Sequence, residues 1–196
     1  MAEVSHSGPD DRLDTDLIRL WRGGHESALE DLLRRYQARI FSFLCRMLRN
    51  RHDAEDAAQE AFIRAATKLH RFDEAKGTFK SWMFQIAYRE GLRMAKKRRR
   101  LPIGESAWTE HDVPAPEAVD PGPSPGRQLE EQETAARVAQ AVATLPEAEK
   151  QVVLLRTYSG LRFREIAEVM KTPLNTTLGR MHNASQRLRK WFGEAP

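Results

Sequence analysis

The stretch 101–126 constrains this chain more than any other. It holds no Lys or Arg, five acids (Glu105, Glu110, Asp112, Glu117 and Asp120) and six of the ten prolines in the 196-residue sequence. Proline removes a backbone donor and blocks helix, and an acidic, apolar-poor stretch buries too little surface to offset the entropy of ordering it. The chain therefore reads as two units: a domain at 12–100 and a second at 128–196. A flexible acidic linker at 101–127 joins them, and a disordered tail at 1–11 precedes them. Both flanking units are basic. Residues 1–100 hold 21 basic and 15 acidic side chains, and residues 127–196 hold 11 and 8.

Several classes fall away at once. A single cysteine, Cys45, excludes an intramolecular disulfide and any multi-cysteine zinc site. No run approaches the ~20 apolar residues of a membrane span. The opening MAEVSHSGPDDRLD has neither the basic nor the apolar part of a signal peptide. A cytoplasmic chain without membrane insertion is expected. No Gly-rich phosphate loop, nucleophile elbow or zinc spacing occurs, so no cofactor, metal, small-molecule substrate or enzymatic activity is expected.

Outside the linker the pattern is all-α. Apolar residues recur at three and four in 14–22, in 26–50 (Leu29, Leu32, Leu33, Tyr36, Ile40, Phe43, Leu44, Met47, Leu48), in 53–70 and in 79–100. These spacings predict about four helices, with 26–50 as one long helix and Asp14 or Thr15 capping the first. Asp53 is a candidate cap for 53–70. The second half predicts helices at 128–143, 147–158, 162–170 and 174–191, with Pro146 at a first helical position.

The last two predicted helices are joined by a tight turn, Lys171-Thr172-Pro173. Residues 171–193 carry Lys171, Arg180, Arg187, Arg189 and Lys190 and no acid. That outline suits a helix-turn-helix whose second helix enters a DNA major groove, with Asn175, Thr176, Thr177 and Arg180 leading and Ile166-Ala167 at the crossing. A plain helical hairpin with a solvated basic face fits the same spacing.

Residues 80–100 hold eight basic side chains and one acid, Glu90, interleaved with Trp82, Phe84 and Tyr88 just after Phe79. Basic groups hold phosphates and aromatic faces stack on unpaired bases, although each aromatic taken singly also suits a core. Asp53, Glu55, Asp56 and Glu60 cluster on the predicted helix 53–70. They suit helix-start electrostatics, a partner-binding face or, less well, a metal-dependent nuclease.

These residues carry a resemblance. Asp53-Ala54-Glu55-Asp56-Ala57-Ala58-Gln59-Glu60-Ala61-Phe62-Ile63-Arg64-Ala65 resembles the core-polymerase-binding helix of bacterial sigma factors. Phe79 to Arg89 resembles the adjoining promoter-melting helix. Leu145-Pro146 through Arg189, centred on Gly160 to Glu168, resembles the promoter-reading domain. Two such domains with only a linker between them is the layout of the extracytoplasmic-function (ECF) subfamily of the sigma-70 family. The resemblance implies an N-terminal region 2 bundle and a C-terminal region 4 helix-turn-helix. It also implies core RNA polymerase and promoter DNA as partners, with an anti-sigma factor as a common third.

By the same resemblance, Asp53, Asp56, Gln59 and Glu60 would meet the polymerase. Phe72, Asp73, Lys76, Lys80, Trp82, Arg89, Arg93, Lys96 and Lys97 would handle the downstream element as single strand. Arg162, Asn175, Thr176, Leu178, Arg180 and Arg187 would meet the upstream element as duplex. The linker would pass through a channel built for RNA. One departure stands out: the family's Gly-Thr-Val-Lys-Ser-Arg run is replaced here by Asn175-Thr176-Thr177-Leu178-Gly179-Arg180. Apolar spacing would bury Leu174, Leu178, Met181 and Leu188, whereas the family phase would bury Thr177 and expose Leu178. The rival reading is a helix-turn-helix regulator that needs no polymerase.

Overall fold

The computed structural model describes residues 9–99 and 125–194, and among these there is no strand. Nine α-helices are described in chain order: α1 Pro9–Arg22, α2 Ser27–Arg34, α3 Gln37–Leu48, α4 Arg51–Lys68, α5 Phe79–Arg98, α6 Pro125–Ala143, α7 Glu147–Ser159, α8 Phe163–Met170 and α9 Leu174–Glu194. Two short 3-10 turns, Leu69–Arg71 and Glu74–Lys76, bridge α4 to α5. Residues 100–124, which hold almost all of the expected linker, and residues 1–8 of the expected tail lie outside the described residues.

Helices α3, α4 and α5 form the heart of the first half. The inward face of α4 is nearly all alanine (Ala54, Ala57, Ala58, Ala61, Ala65), and small side chains let neighbouring helix axes approach closely. Larger groups from α3 and α5 fill the space between them. Phe43 meets Phe84 edge-on at 5.8 Å, and Ile40, Leu44 and Met83 are fully buried. Each such side chain contributes about 1.5–3 kcal/mol by leaving water. Gly91 marks a close α3–α5 approach: a Cβ there would lie 2.7 Å from the Met47 sulfur.

The first half departs from the expected pattern in three places. The stretch 26–50 is two helices, broken at Arg35-Tyr36. The break follows from Asp14, whose carboxylate is 1 % exposed on α1. The Tyr36 hydroxyl donates to it, and Arg35 Nε lies 3.1 Å away. A buried carboxylate demands such partners, and the turn delivers both. Asp14 is thus an interior residue and not a cap, and Thr15 donates to the Asp11 carbonyl at 3.1 Å within a helix that already begins at Pro9, inside the expected tail. Asp53 does not cap α4 either. Asn50 does, its side-chain oxygen accepting from the Asp53 N–H at 2.8 Å.

In the second half α6 begins at Pro125, inside the expected linker. Pro146 precedes α7 in an extended conformation, and its carbonyl accepts from the N–H groups of Glu149 and Lys150 at 2.9 Å. The two halves share a core. Leu154, Leu155, Leu161, Ile166 and Val169 belong to the same buried cluster as the residues of α3 and α5. Helix α7 packs on α3, and α8 packs on α5.

Candidate nucleic-acid and polymerase interfaces

On α4 the alanine stripe faces inward, which turns Asp56, Gln59 and Ile63 to solvent. The other two expected contacts are tied within the fold. Asp53 lies 3.6 Å from Arg98 of α5, and Glu60 pairs with Arg64 at 2.8 Å. Arg64 also reaches Glu90 at 2.9 Å, and Glu90 pairs with Arg93 at 2.6 Å. Glu90 is the lone acid of the basic helix and is 5 % exposed, so the two arginines supply the charge its burial requires. A groove of about 380 Å³ runs beside Gln59, lined also by Leu33, Gln37, Phe62 and Ile63. Its signal in the sequence is Ile63, an apolar residue off the stripe. Among the described residues, no cluster of metal-binding side chains forms.

The stretch 69–78 is a braced loop. Asp73 accepts from the Ala75 N–H at 3.1 Å and lies 3.2 Å from Lys76, and this backbone hydrogen bond, with the Lys76 ammonium, lowers its carboxyl below the usual range. Arg22 of α1 donates to the Phe72 carbonyl at 2.7 Å and pairs with Glu74 at 3.1 Å. Gly77 at φ +147° turns the chain, and Thr78 caps α5 through the Ser81 N–H at 3.2 Å. Phe72 and Phe79 are buried, and both pack at a tilt against half-buried Trp82 with centroids 5.4 and 5.6 Å away. A cavity of about 230 Å³ opens here, lined by Arg71, Phe72, Asp73, Lys76 and Trp82 among others. Arg71 was not among the expected site residues.

The expected strand contacts therefore divide. Asp73, Lys76 and Trp82 converge on the cavity, and Phe72 forms its wall. Lys80 points elsewhere, 3.5 Å from Asp11 of α1. Arg89, Lys96 and Lys97 are exposed further along α5, with Arg93 beside them and paired to Glu90.

The turn between α8 and α9 is built by Lys171 in the left-handed region (φ +54°), the Thr172 N–H to the Ala167 carbonyl at 2.9 Å, and the Thr177 N–H to the Pro173 carbonyl at 3.1 Å. The phase of α9 follows the resemblance and not the apolar spacing. Thr177 is 0 % exposed and Leu178 is 41 % exposed. Thr177 is satisfied inside, its hydroxyl 2.9 Å from that of Thr172. Asn175, Thr176 and Leu178 share an open face near the start of the helix, and Gly179 has open space around it. Arg180 is half-buried, and its charge acts on Tyr88 of α5. Arg187 pairs with Glu149 of α7 at 3.1 Å, and Arg162 is exposed at the start of α8.

Two known families match this chain. Sigma-70 region 2 covers residues 32–101, and Sigma-70, region 4 covers residues 135–188. The chain is 31% identical over 177 residues to the ECF RNA polymerase sigma factor SigW of Bacillus subtilis, spanning 88% of this chain and 93% of that one. It is also 31% identical over 180 residues to the RNA polymerase sigma-H factor of Pseudomonas aeruginosa, spanning 90% and 92%. The fold is similar to that of CnrH, solved in complex with the cytosolic domain of CnrY (TM-score 0.64, 20% identity, 95% of this chain and 99% of that chain). It is also similar to the sigma factor RpoE of Bartonella quintana, solved with the anti-sigma factor NepR (TM-score 0.59, 20% identity, 80% and 91%).

Proposed function

The chain belongs to the ECF RNA polymerase sigma factors, and from that membership and the geometry above we propose that it binds core RNA polymerase and directs initiation at its own promoters. The observation that carries the reading is the presence of both regions in one chain, in family order. Asp56 and Gln59, beside the α2–α4 groove, meet a basic surface of the polymerase. The cavity at 69–82 receives an unstacked base of the downstream element. Trp82 offers a ring face, Asp73 and Lys76 offer an acceptor and a donor to the base edge, and Lys96 and Lys97 hold phosphates further along α5.

Helix α9 reads the upstream element as duplex, with Asn175 and Thr176 reaching base edges and Leu178 suited to a thymine methyl. The acidic linker, expected at 101–127, passes through the channel that later holds transcript. An anti-sigma factor is a further partner, as for the relative solved with NepR. The work is done beside the polymerase in the cytoplasm, and no bond-making group of this chain takes part.

The test is to mix the chain with core polymerase and genomic DNA and to map transcript starts. New starts that share two spaced elements are expected. Asp56→Arg should weaken co-purification with core polymerase without unfolding the chain, since Asp56 is exposed and its Oδ1 lies 3.9 Å from Nδ1 of His52, which is exposed as well. A regulator that works without polymerase would bind the upstream duplex and yield no new starts.

A further inference from the structure

The loop ahead of α5 turns on a single joint. Its two 3-10 turns are linked through extended backbone at Phe72 (φ −67°, ψ 129°) and Asp73 (φ −121°, ψ 110°). The Asp73 carboxylate is tied forward, to the Ala75 N–H and to Lys76, and so moves with the second turn. The peptide between Phe72 and Asp73 decides where that turn points, and Arg22, the last residue of α1, holds this peptide. Its Nη2 donates to the Phe72 carbonyl at 2.7 Å and its Nη1 to Glu74 Oε1 at 3.1 Å. One guanidinium thus grips the residue before Asp73 and the residue after it. A planar fork fixes direction as well as distance. Arg22 itself does not line the cavity. Helix α1 is fastened at its other end too: Asp11 lies 3.5 Å from Lys80 in the first turn of α5, and both side chains are largely buried. The device recurs in the fold, since Arg39 of α3 donates from Nε to the Tyr158 carbonyl at 3.1 Å and from Nη2 to the Ser159 carbonyl at 2.6 Å, at the end of α7.

We propose that Arg22 is a positioning residue for base selection: by clamping both neighbours of Asp73 it aims Asp73 and Lys76 at the edge of the base that enters the cavity. The proposal rests on the reading of that cavity as the site of an unstacked base. Helix α1 is the splint, Arg22 its grip on the loop, and the Asp11–Lys80 pair its footing on α5. Two features separate this role from general bracing of the fold. The Arg22 and Glu74 side chains are 44 % and 42 % exposed, and a pair so open to water contributes little to stability. The shorter bond goes to a main-chain oxygen, so it sets the course of the loop and not the packing of a core. Donors and acceptors held in place beforehand tell one base edge from another better than groups free to swing. Loosening the loop should therefore cost selection among bases before it costs binding. Ring stacking on Trp82 and phosphate contacts at Lys96 and Lys97 accept any base.

The test uses the full chain assembled with core polymerase and a pool of fully randomised single-stranded deoxyoligonucleotides, with the bound molecules sequenced. Asp73→Ala marks the relevant position, the one at which it removes the base preference of the wild type. Arg22→Met keeps the length of the side chain and removes the fork. Its expected effect is confined to that position: the preference there, about five- to a hundredfold for one base contact in the wild type, falls at least about threefold, while preference elsewhere and affinity for the pool stay unchanged. The urea midpoint should move little. Arg22→Lys keeps the charge without the two-pronged grip, so it should lose preference as well, and it decides the matter by the same criterion if Arg22→Met does not fold. Unchanged preference at the marked position in a folded variant overturns the positioning role. So does a uniform loss of affinity with the preference intact, which would make Arg22 a phosphate contact. A wild type in which Asp73→Ala alters no position overturns instead the assignment of the base site to the cavity, and the positioning role falls with it.

Discussion

The phase of α9 makes the exposed leucine the most informative residue to change. Leu178→Lys restores the side chain common in the family. Full burial of a leucine contributes about 1.5–3 kcal/mol, but Leu178 is already 41 % exposed. The aliphatic stem of a lysine covers part of what the leucine covered, so the expected cost in a urea titration is below about 1 kcal/mol. The same change one residue earlier is a different experiment. Thr177 is 0 % exposed and its hydroxyl meets that of Thr172 at 2.9 Å, so Thr177→Lys forces an ammonium into a dry site and should cost several-fold more. On DNA the added charge at 178 should neutralise one further phosphate. The slope of log affinity against log salt should steepen by about 0.9, with preference among sequences nearly unchanged. Fluorescence anisotropy of a labelled duplex at four or more salt concentrations reads this directly. A loss of more than about 3 kcal/mol at 178, of the size seen for an unpaired buried charge, would refute the phase. A stable variant with an unaltered slope would show that the face carrying Leu178 does not lie along DNA.

Three further outcomes are expected. Gly91→Ala gains about 1 kcal/mol of helix propensity but drives a methyl to 2.7 Å from Met47 Sδ and 3.0 Å from Leu44 Cδ2, so urea denaturation should show net destabilisation; a more stable variant would mean α3 yields freely. Burial raises the Asp14 carboxyl above its ordinary value, with Tyr36 and Arg35 offsetting part of the effect. Its stabilising share is therefore fully present below pH 3.8 and is lost as pH rises through the raised pKa, and the stability of the wild type relative to Asp14→Asn should fall over that weakly acidic window. The Cys45 thiol is buried and pushed up to about 11, so a thiol reagent at pH 8 should label the native chain only as fast as it unfolds.

What could be read from the residues alone was what repeats or interrupts. The proline-rich acidic stretch separates the chain in the sequence, and the three-and-four spacing predicts the helices. What escaped was set by partners distant in the chain. Nothing local to Arg35-Tyr36 calls for a break; its cause, Asp14, lies on another helix and resembles a cap by position. Asp53 shows the same ambiguity at shorter range, because Asn50 stands three residues before it with an equally suitable side chain. At α9 the apolar count misleads, since Leu174 and Leu178 stay partly in water while a threonine is buried on its own hydrogen bond. Only the resemblance chose between those phases. Of the candidate strand contacts, Lys80 and Phe72 carry the right chemistry, yet one is held by Asp11 and the other by the aromatic cluster. The docking of the halves was not legible either, since apolar residues of α7 and α8 that join the shared core have the same spacing as those of any packed helix, and the grips beside them fall on main-chain acceptors.

That last property reaches past this chain. Arg39 addresses the main-chain oxygens of Tyr158 and Ser159 and ignores their side chains. The neighbouring Gly160, at φ +64°, shapes the corner where those oxygens are presented, and even a Cβ added there would stand 3.5 Å from the guanidinium. A grip on the course of the backbone does not co-vary with residue identity on the gripped side. Substitutions at 158 can accumulate without a matching change at 39, so paired-change statistics across relatives would report the halves as independent. Recombination benefits from the same indifference: a first half grafted onto a relative's second half retains the grip wherever that corner keeps its path.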